Sequence, residues 1–241
     1  AMKLNENKYL NAIKDGFIGV MSFLIIGSMF LLIGNLPING YPEFMAGIFG
    51  PEWANYITIP FNATMNILTL YVVIGIAKSL ANHYELYDLS AIFTTLVAFV
   101  ILTPMLESEG ASGIPTVALG AQGLFLGIIV AISTVEILNW VHKRGWAIKM
   151  PETVPLNVSR SFSSLIPGTI VVIVFLIVRI GFAFTDYGTI QNFIYKILQT
   201  PLLQLGETLS SLLRYLSSCF GYLVYMGLKL LVQSCHLSTM H

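Results

Sequence analysis

Five apolar runs, each long enough to cross a bilayer as a helix, limit this chain more than any other feature. They cover approximately residues 17–38, 57–80, 89–105, 117–141 and 165–184. A hydrocarbon core about 30 Å thick needs roughly 20 helical residues. It also forces every backbone polar group to find its partner inside the segment, because no water is present to supply one. The third run is the shortest and lies near the lower limit of roughly 17 residues. The first is too long for a secretory h-region and Asn35-Leu36-Pro37 is not a small-residue cleavage site, so it reads as a retained span. Composition agrees: 56% of residues are hydrophobic and 10% are charged, against roughly 25% charged in a soluble domain. The expected fold is all-α, a polytopic helical membrane protein with five transmembrane helices, an amphipathic helix and an atypical apolar C-terminal tail. Two cysteines cannot make a disulfide scaffold, and twelve basic residues cancelled by twelve acidic ones leave no basic face for nucleic acid.

The connections sort their charges. Lys3, Lys8 and Lys14 precede the first run, Lys78 ends the second, and Lys143, Arg144, Lys149 and Arg160 lie between the fourth and fifth. The alternate connections hold Glu43, Glu52, Glu107 and Glu109 with no Lys or Arg. Because basic loops stay on the cytoplasmic side, the N-terminus is expected in the cytoplasm and residue 185 outside, in a multi-pass membrane protein. The domains expected are a cytoplasmic segment 1–16, a five-helix domain 17–184, an interfacial connector 185–208 and a tail 209–241. In the connector, apolar residues at 193, 194, 197, 198, 202, 203 and 205 follow helical spacing, interrupted by Pro201. That suits an amphipathic helix lying in the interface; the start of a sixth span is the alternative.

No phosphate-binding glycine loop, metal-ligand spacing or nucleophile elbow is present, and no cofactor is expected. Gly120-Ala121-Gln122-Gly123 opens the fourth run, where small residues suit close helix approach more than a ligand. Glu136 and Arg179 are the ionisable residues inside runs and hence the default functional candidates. Counted from the cytoplasmic side their depths differ by roughly 14 Å, too far for an ion pair, so each is expected to snorkel to its own interface. In the loop before the fifth run, Asn157, Ser159 and Arg160 could bond sugar hydroxyls or an anion; equally, Asn157 or Ser159 could cap the incoming helix and Arg160 mark the interface.

These segments carry a resemblance. Asn7-Lys8-Tyr9-Leu10-Asn11-Ala12-Ile13-Lys14-Asp15-Gly16-Phe17 is similar to the opening of the first span in sugar-specific IIC permeases of the bacterial phosphotransferase system, in the lactose, cellobiose and diacetylchitobiose branch. Leu89-Ser90-Ala91, Leu119-Gly120-Ala121-Gln122-Gly123-Leu124-Phe125 and Val154-Pro155-Leu156-Asn157-Val158-Ser159-Arg160-Ser161-Phe162 match further signatures, the last continuing through Ser163-Ser164-Leu165-Ile166-Pro167-Gly168. Lys14 stands where the family usually has Arg, and Leu156 where it has a second Pro. The resemblance implies a homodimer among membrane lipids, moving a disaccharide that a phosphorylated IIB subunit, itself charged by IIA, then phosphorylates. It makes Asn157, Ser159, Arg160 and Gln122 candidate sugar-contacting residues. It also places the main sugar-binding histidine and glutamate in Gly-Ile-His-Gly and Asn-Glu-Pro segments, neither of which occurs in this chain.

The family is nearly twice as long, and the tail has its own composition. Ile occurs 28 times in residues 1–208 and not once in 209–241, which hold both cysteines, no acid and no proline. A reading frame shifted near Thr208 would account for this. Codons compatible with Cys219 to His241, read from the third base, can encode Phe-Trp-Val-Phe-Gly-Ile-His-Gly-Ile-Glu-Ile-Ile-Ser-Pro-Ile-Met-Ser-Pro-Ile-Tyr-Asn-Ala, which resembles the family's sixth span. Ala1 before Met2 suggests a clipped or engineered start. On these readings the chain is a truncated permease, inactive alone. The alternatives are a naturally complete membrane scaffold or small secondary transporter and, more remotely, a membrane enzyme built on Glu136 or Arg179.

Overall fold

The computed structural model describes residues 7–108, 111–146, 148, 155, 159, 162–194 and 196–197. Among them the architecture is helical, with one three-residue hairpin. Helix α1 spans Lys8–Gly34, starting well before its apolar run because Asn7 caps it through a bond from the Tyr9 amide. A short α2, Tyr41–Phe49, occupies the acidic connection that the sequence reading leaves as loop; Pro42 stands in its first turn.

The second expected span is two helices, α3 (Trp53–Met65) and α4 (Leu68–His83). The break falls at Asn66, whose side chain bonds back to Asn62. Helix α5, Asp88–Leu102, has only 15 residues. It is followed by strands β1 (Leu106–Ser108) and β2 (Ala111–Gly113), antiparallel with Leu106 opposite Gly113.

The fourth span is also interrupted. A single turn α6 (Thr116–Leu119) and a 3-10 turn (Ala121–Gly123) precede α7, Leu124–Lys143. Gly120 is extended there, and its carbonyl accepts from the buried Thr69 hydroxyl at 2.6 Å instead of continuing a helix. Helix α8 covers Leu165–Ala183 and α9 Ile190–Ile194. Of the expected connector and tail, 195 and 198–241 lie outside the described residues.

Among the described residues, four stretches are long and apolar enough to cross a membrane: Lys8–Gly34, Trp53–His83, Ala121–Lys143 and Leu165–Ala183; α5 is apolar but shorter. The chain divides into two compact units, residues 1–193 and 194–241. Within the first, α4 is central, packing on α1, α5 and α7. Val72, Val73, Ile76, Ala77 and Leu80 are wholly buried on it. Gly16 and Gly75 let α1 and α4 nearly touch; a Cβ on Gly75 would sit 2.7 Å from the Gly16 Cα. By contrast, α1 and α8 expose Met21, Phe23, Met29, Leu32, Ile173 and Ile177, as helices facing lipid do.

Candidate functional site

Two of the matched motifs, far apart in sequence, converge on one groove. It lies between the first turns of α5 and α8 and has a volume of about 480 Å³. Ser90 and Thr94 line it from α5, Ser164 and Thr169 from the α8 side, with Tyr87 at the end. Gly168 adds no side chain to the wall; a Cβ there would be in ordinary contact, 3.6 Å from the Thr94 hydroxyl. Five hydroxyl groups along an otherwise apolar channel can bond a polyol or a neighbouring helix, since each both donates and accepts.

Of the four candidate sugar contacts, Gln122 and Ser159 are among the described residues. Gln122 is exposed in the 3-10 turn before α7. Ser159 lies in the segment between α7 and α8. The Ser159 amide donates to Pro155 and its carbonyl accepts from the Ser163 hydroxyl at 2.8 Å. The residue before α8 is Ser164, and it makes no side-chain cap. Asn157 and Arg160 lie outside the described residues.

Glu136 and Arg179 are not solitary snorkelling groups. Lys8 donates to Glu136 at 3.1 Å and also to the Tyr84 hydroxyl, which in turn donates to Glu136. This triangle ties the start of α1 to the end of α4 and to α7 two turns before its end. Lys8 further lies 4.7 Å from the Tyr84 ring centroid, so its charge meets both a carboxylate and an aromatic face. Burial first, then the bond to Glu136, raise the Tyr84 phenol above its ordinary pKa. Beside the triangle, a cleft of about 700 Å³ between α1 and α4 is lined by Lys8, Asn11, Asp15, Lys78, Ser79 and His83. In it the Ser79 hydroxyl donates to Asp15 at 2.8 Å. Lys8 and Tyr84 escaped the sequence reading because their partner is 128 and 52 residues away. The available signal was Lys8 within the matched opening motif.

Arg179 donates to the carbonyls of Ile101 and Thr103, the latter at 2.9 Å. It therefore turns sideways onto the end of α5 instead of reaching outward. Among the described residues no group of His, Cys, Asp and Glu could hold a metal ion.

A polytopic helical membrane protein is thus defined, with hydroxyl-lined and ionic junctions between its helices. The family model described as phosphotransferase system, EIIC, matches residues 14–232, and the chain belongs to that family. The match runs past the composition break at 208. The chain is 40% identical over 216 residues to the cellobiose-specific EIIC component of Geobacillus stearothermophilus, covering 86% of this chain and 48% of that one. It is 37% identical over 247 residues to the lichenan permease IIC component of Bacillus subtilis (strain 168), covering 98% and 52%. Among solved structures it resembles the transporter ChbC, the IIC component from the N,N'-diacetylchitobiose-specific phosphotransferase system. The TM-score there is 0.79 with 44% identity, over 85% of this chain and 50% of the other. The chain spans about half the length of these relatives.

Proposed function

We propose that this chain is the membrane-domain portion of a sugar permease. It would serve a phosphoenolpyruvate-dependent phosphotransferase system that carries a β-linked disaccharide inward for phosphorylation by a IIB partner. The observation that carries this is the 44% identity to ChbC at TM-score 0.79, together with cellobiose- and lichenan-named relatives on the same residues. Residues 17–184 form the dimer-side domain, 185–208 the interfacial connector, and the N-terminus is cytoplasmic. The charge sorting of the connections supports that orientation. Asn157, Ser159, Arg160 and Gln122 contribute through the signatures they match. Residues 209–241 take the place of the family's sixth span through a shifted frame, and the codons of Cys219–His241 decide that point.

The decisive experiment grafts residues 1–208 onto the second half of the Geobacillus cellobiose component. It then measures labelled cellobiose uptake in cells that supply IIA and IIB but lack their own permease. The graft is expected to take up and phosphorylate cellobiose, whereas the chain 1–241 inserts without uptake. A graft that inserts normally yet carries none of the family's disaccharides would overturn the reading.

A further inference from the structure

At the end of α7 the chain builds a second polar feature that the sugar reading does not use. Gly145 has φ +71, in the left-handed region where glycine is unstrained. Its amide donates to His142 and the Trp146 amide to Val141, which is the paired bonding of a Schellman turn. That turn folds the chain back on itself. As a result Trp146 comes beside Trp140, ring centroids 5.8 Å apart and edge-on at 79°.

Arg144 lies against both rings: its guanidinium carbon is 3.9 Å from the Trp140 centroid and 5.6 Å from that of Trp146. The rings are 47% and 48% exposed, so this cluster faces outward from the bundle at the tip of a membrane-spanning helix. Among the described residues the only ion pair is Lys8–Glu136, so Arg144 has no carboxylate there. His142 and Lys143 add basic groups in the same turn, while the nearest acid on α7, Glu136, is engaged by Lys8 and Tyr84.

We propose that Arg144, held between Trp140 and Trp146, binds the phosphate of an anionic phospholipid headgroup. Stacking fixes the guanidinium plane and leaves its N–H edge free, and that edge matches phosphate oxygens in a two-point bond. Indole rings favour the headgroup level of a bilayer, which puts the cation at the depth of the phosphates. The inference needs α7 to cross the membrane and is independent of which sugar is carried.

The test reconstitutes the chain in phosphatidylcholine bilayers and titrates in phosphatidylglycerol carrying bromine near the headgroup end of its acyl chains. Quenching of tryptophan is read against brominated phosphatidylcholine at equal mole fraction. Trp53 is buried, and its signal, measured in W140F/W146F, is subtracted. Phosphatidylglycerol is expected to be favoured by roughly fivefold, the preference one interfacial cation gives. R144Q brings the two lipids to parity, and R144K, which keeps the charge without the planar fork, falls between. Inorganic phosphate in large excess leaves the preference intact. Parity in the unmodified chain, a preference unchanged in both variants, or its loss to free phosphate would each overturn a lipid site.

Discussion

Glu136 and Arg179 both sit within apolar helices, yet the structure neutralises them in opposite ways. Around Glu136 the compensation is side chain to side chain: an ammonium and a phenol from two other helices close a triangle. Lys8 and Glu136 remain 32% and 33% exposed, so water shares the work. Around Arg179 the partners are backbone carbonyls, stranded because α5 is too short. Fifteen residues reach about 22 Å, less than a hydrocarbon core of about 30 Å. Leu102 ends a helix begun at Asp88, and Arg179 stands equally far from Leu165, so the guanidinium arrives at the level where α5 stops. A cation at a helix C-terminus also opposes the helix dipole favourably. The first junction is a local ionic tie; the second lets a short helix end at membrane depth.

The two should therefore break differently. Arg179→Ala is expected to have the largest effect, about 3 kcal/mol, because it leaves two carbonyls without partners where water is scarce. Thermal unfolding in detergent micelles reads the loss, and Arg179→Lys should recover part of it. A stability equal to the parent would mean that α5's end is solvated. Next comes Gly75→Ala, at about 2 kcal/mol by overpacking. Its new methyl would meet the Gly16 backbone, so α1 and α4 must separate and carry Lys8 away from Tyr84. Unchanged unfolding with an intact Lys8–Glu136 coupling would show that the helices do not cross so closely.

What the sequence made legible follows from the same contrast. Run lengths give the apolar helices, including the shortness of α5, because hydrophobic length is a property of contiguous residues. Helix depth also keeps Glu136 and Arg179 apart: one bonds Lys8 and Tyr84, the other the end of α5. Depth alone could not supply these partners: Tyr84 reaches Glu136 only through the packing of α4 on α7, and a carbonyl has no residue type to read. The breaks at Asn66 and Gly120 were equally hidden, since both lie inside runs whose hydropathy continues across them. Of the candidate site, the motifs near Ser90 and Ser164 were visible separately. Their meeting in one groove depends on α5 packing against α8, which periodicity does not specify.

The ionic triangle supplies a smaller test. A double-mutant cycle of Lys8→Met and Glu136→Gln is expected to give a coupling of about 0.5–1 kcal/mol, the range of partly exposed ion pairs, shrinking as salt is added. A coupling several times larger, and insensitive to salt, would mean that water is excluded and the junction resembles that of Arg179 after all.

The smallest effect belongs to Gly19→Ala. Gly19 is one helical turn from Gly16 on α1 and lines the same cleft as Lys8, but a Cβ there would meet nothing within 4 Å. Tight packing at Gly16 and Gly75 therefore ends within a turn, and the cleft beyond it is open space. Alanine should be tolerated at Gly19 with no loss of stability and, by helix propensity alone, a gain of up to about 1 kcal/mol. Measured beside Gly75→Ala, it separates steric contact between α1 and α4 from a general intolerance of added volume. If both substitutions destabilise equally, the cleft is occupied in the membrane, and α1 is held by that occupant as well as by the Lys8–Tyr84–Glu136 triangle.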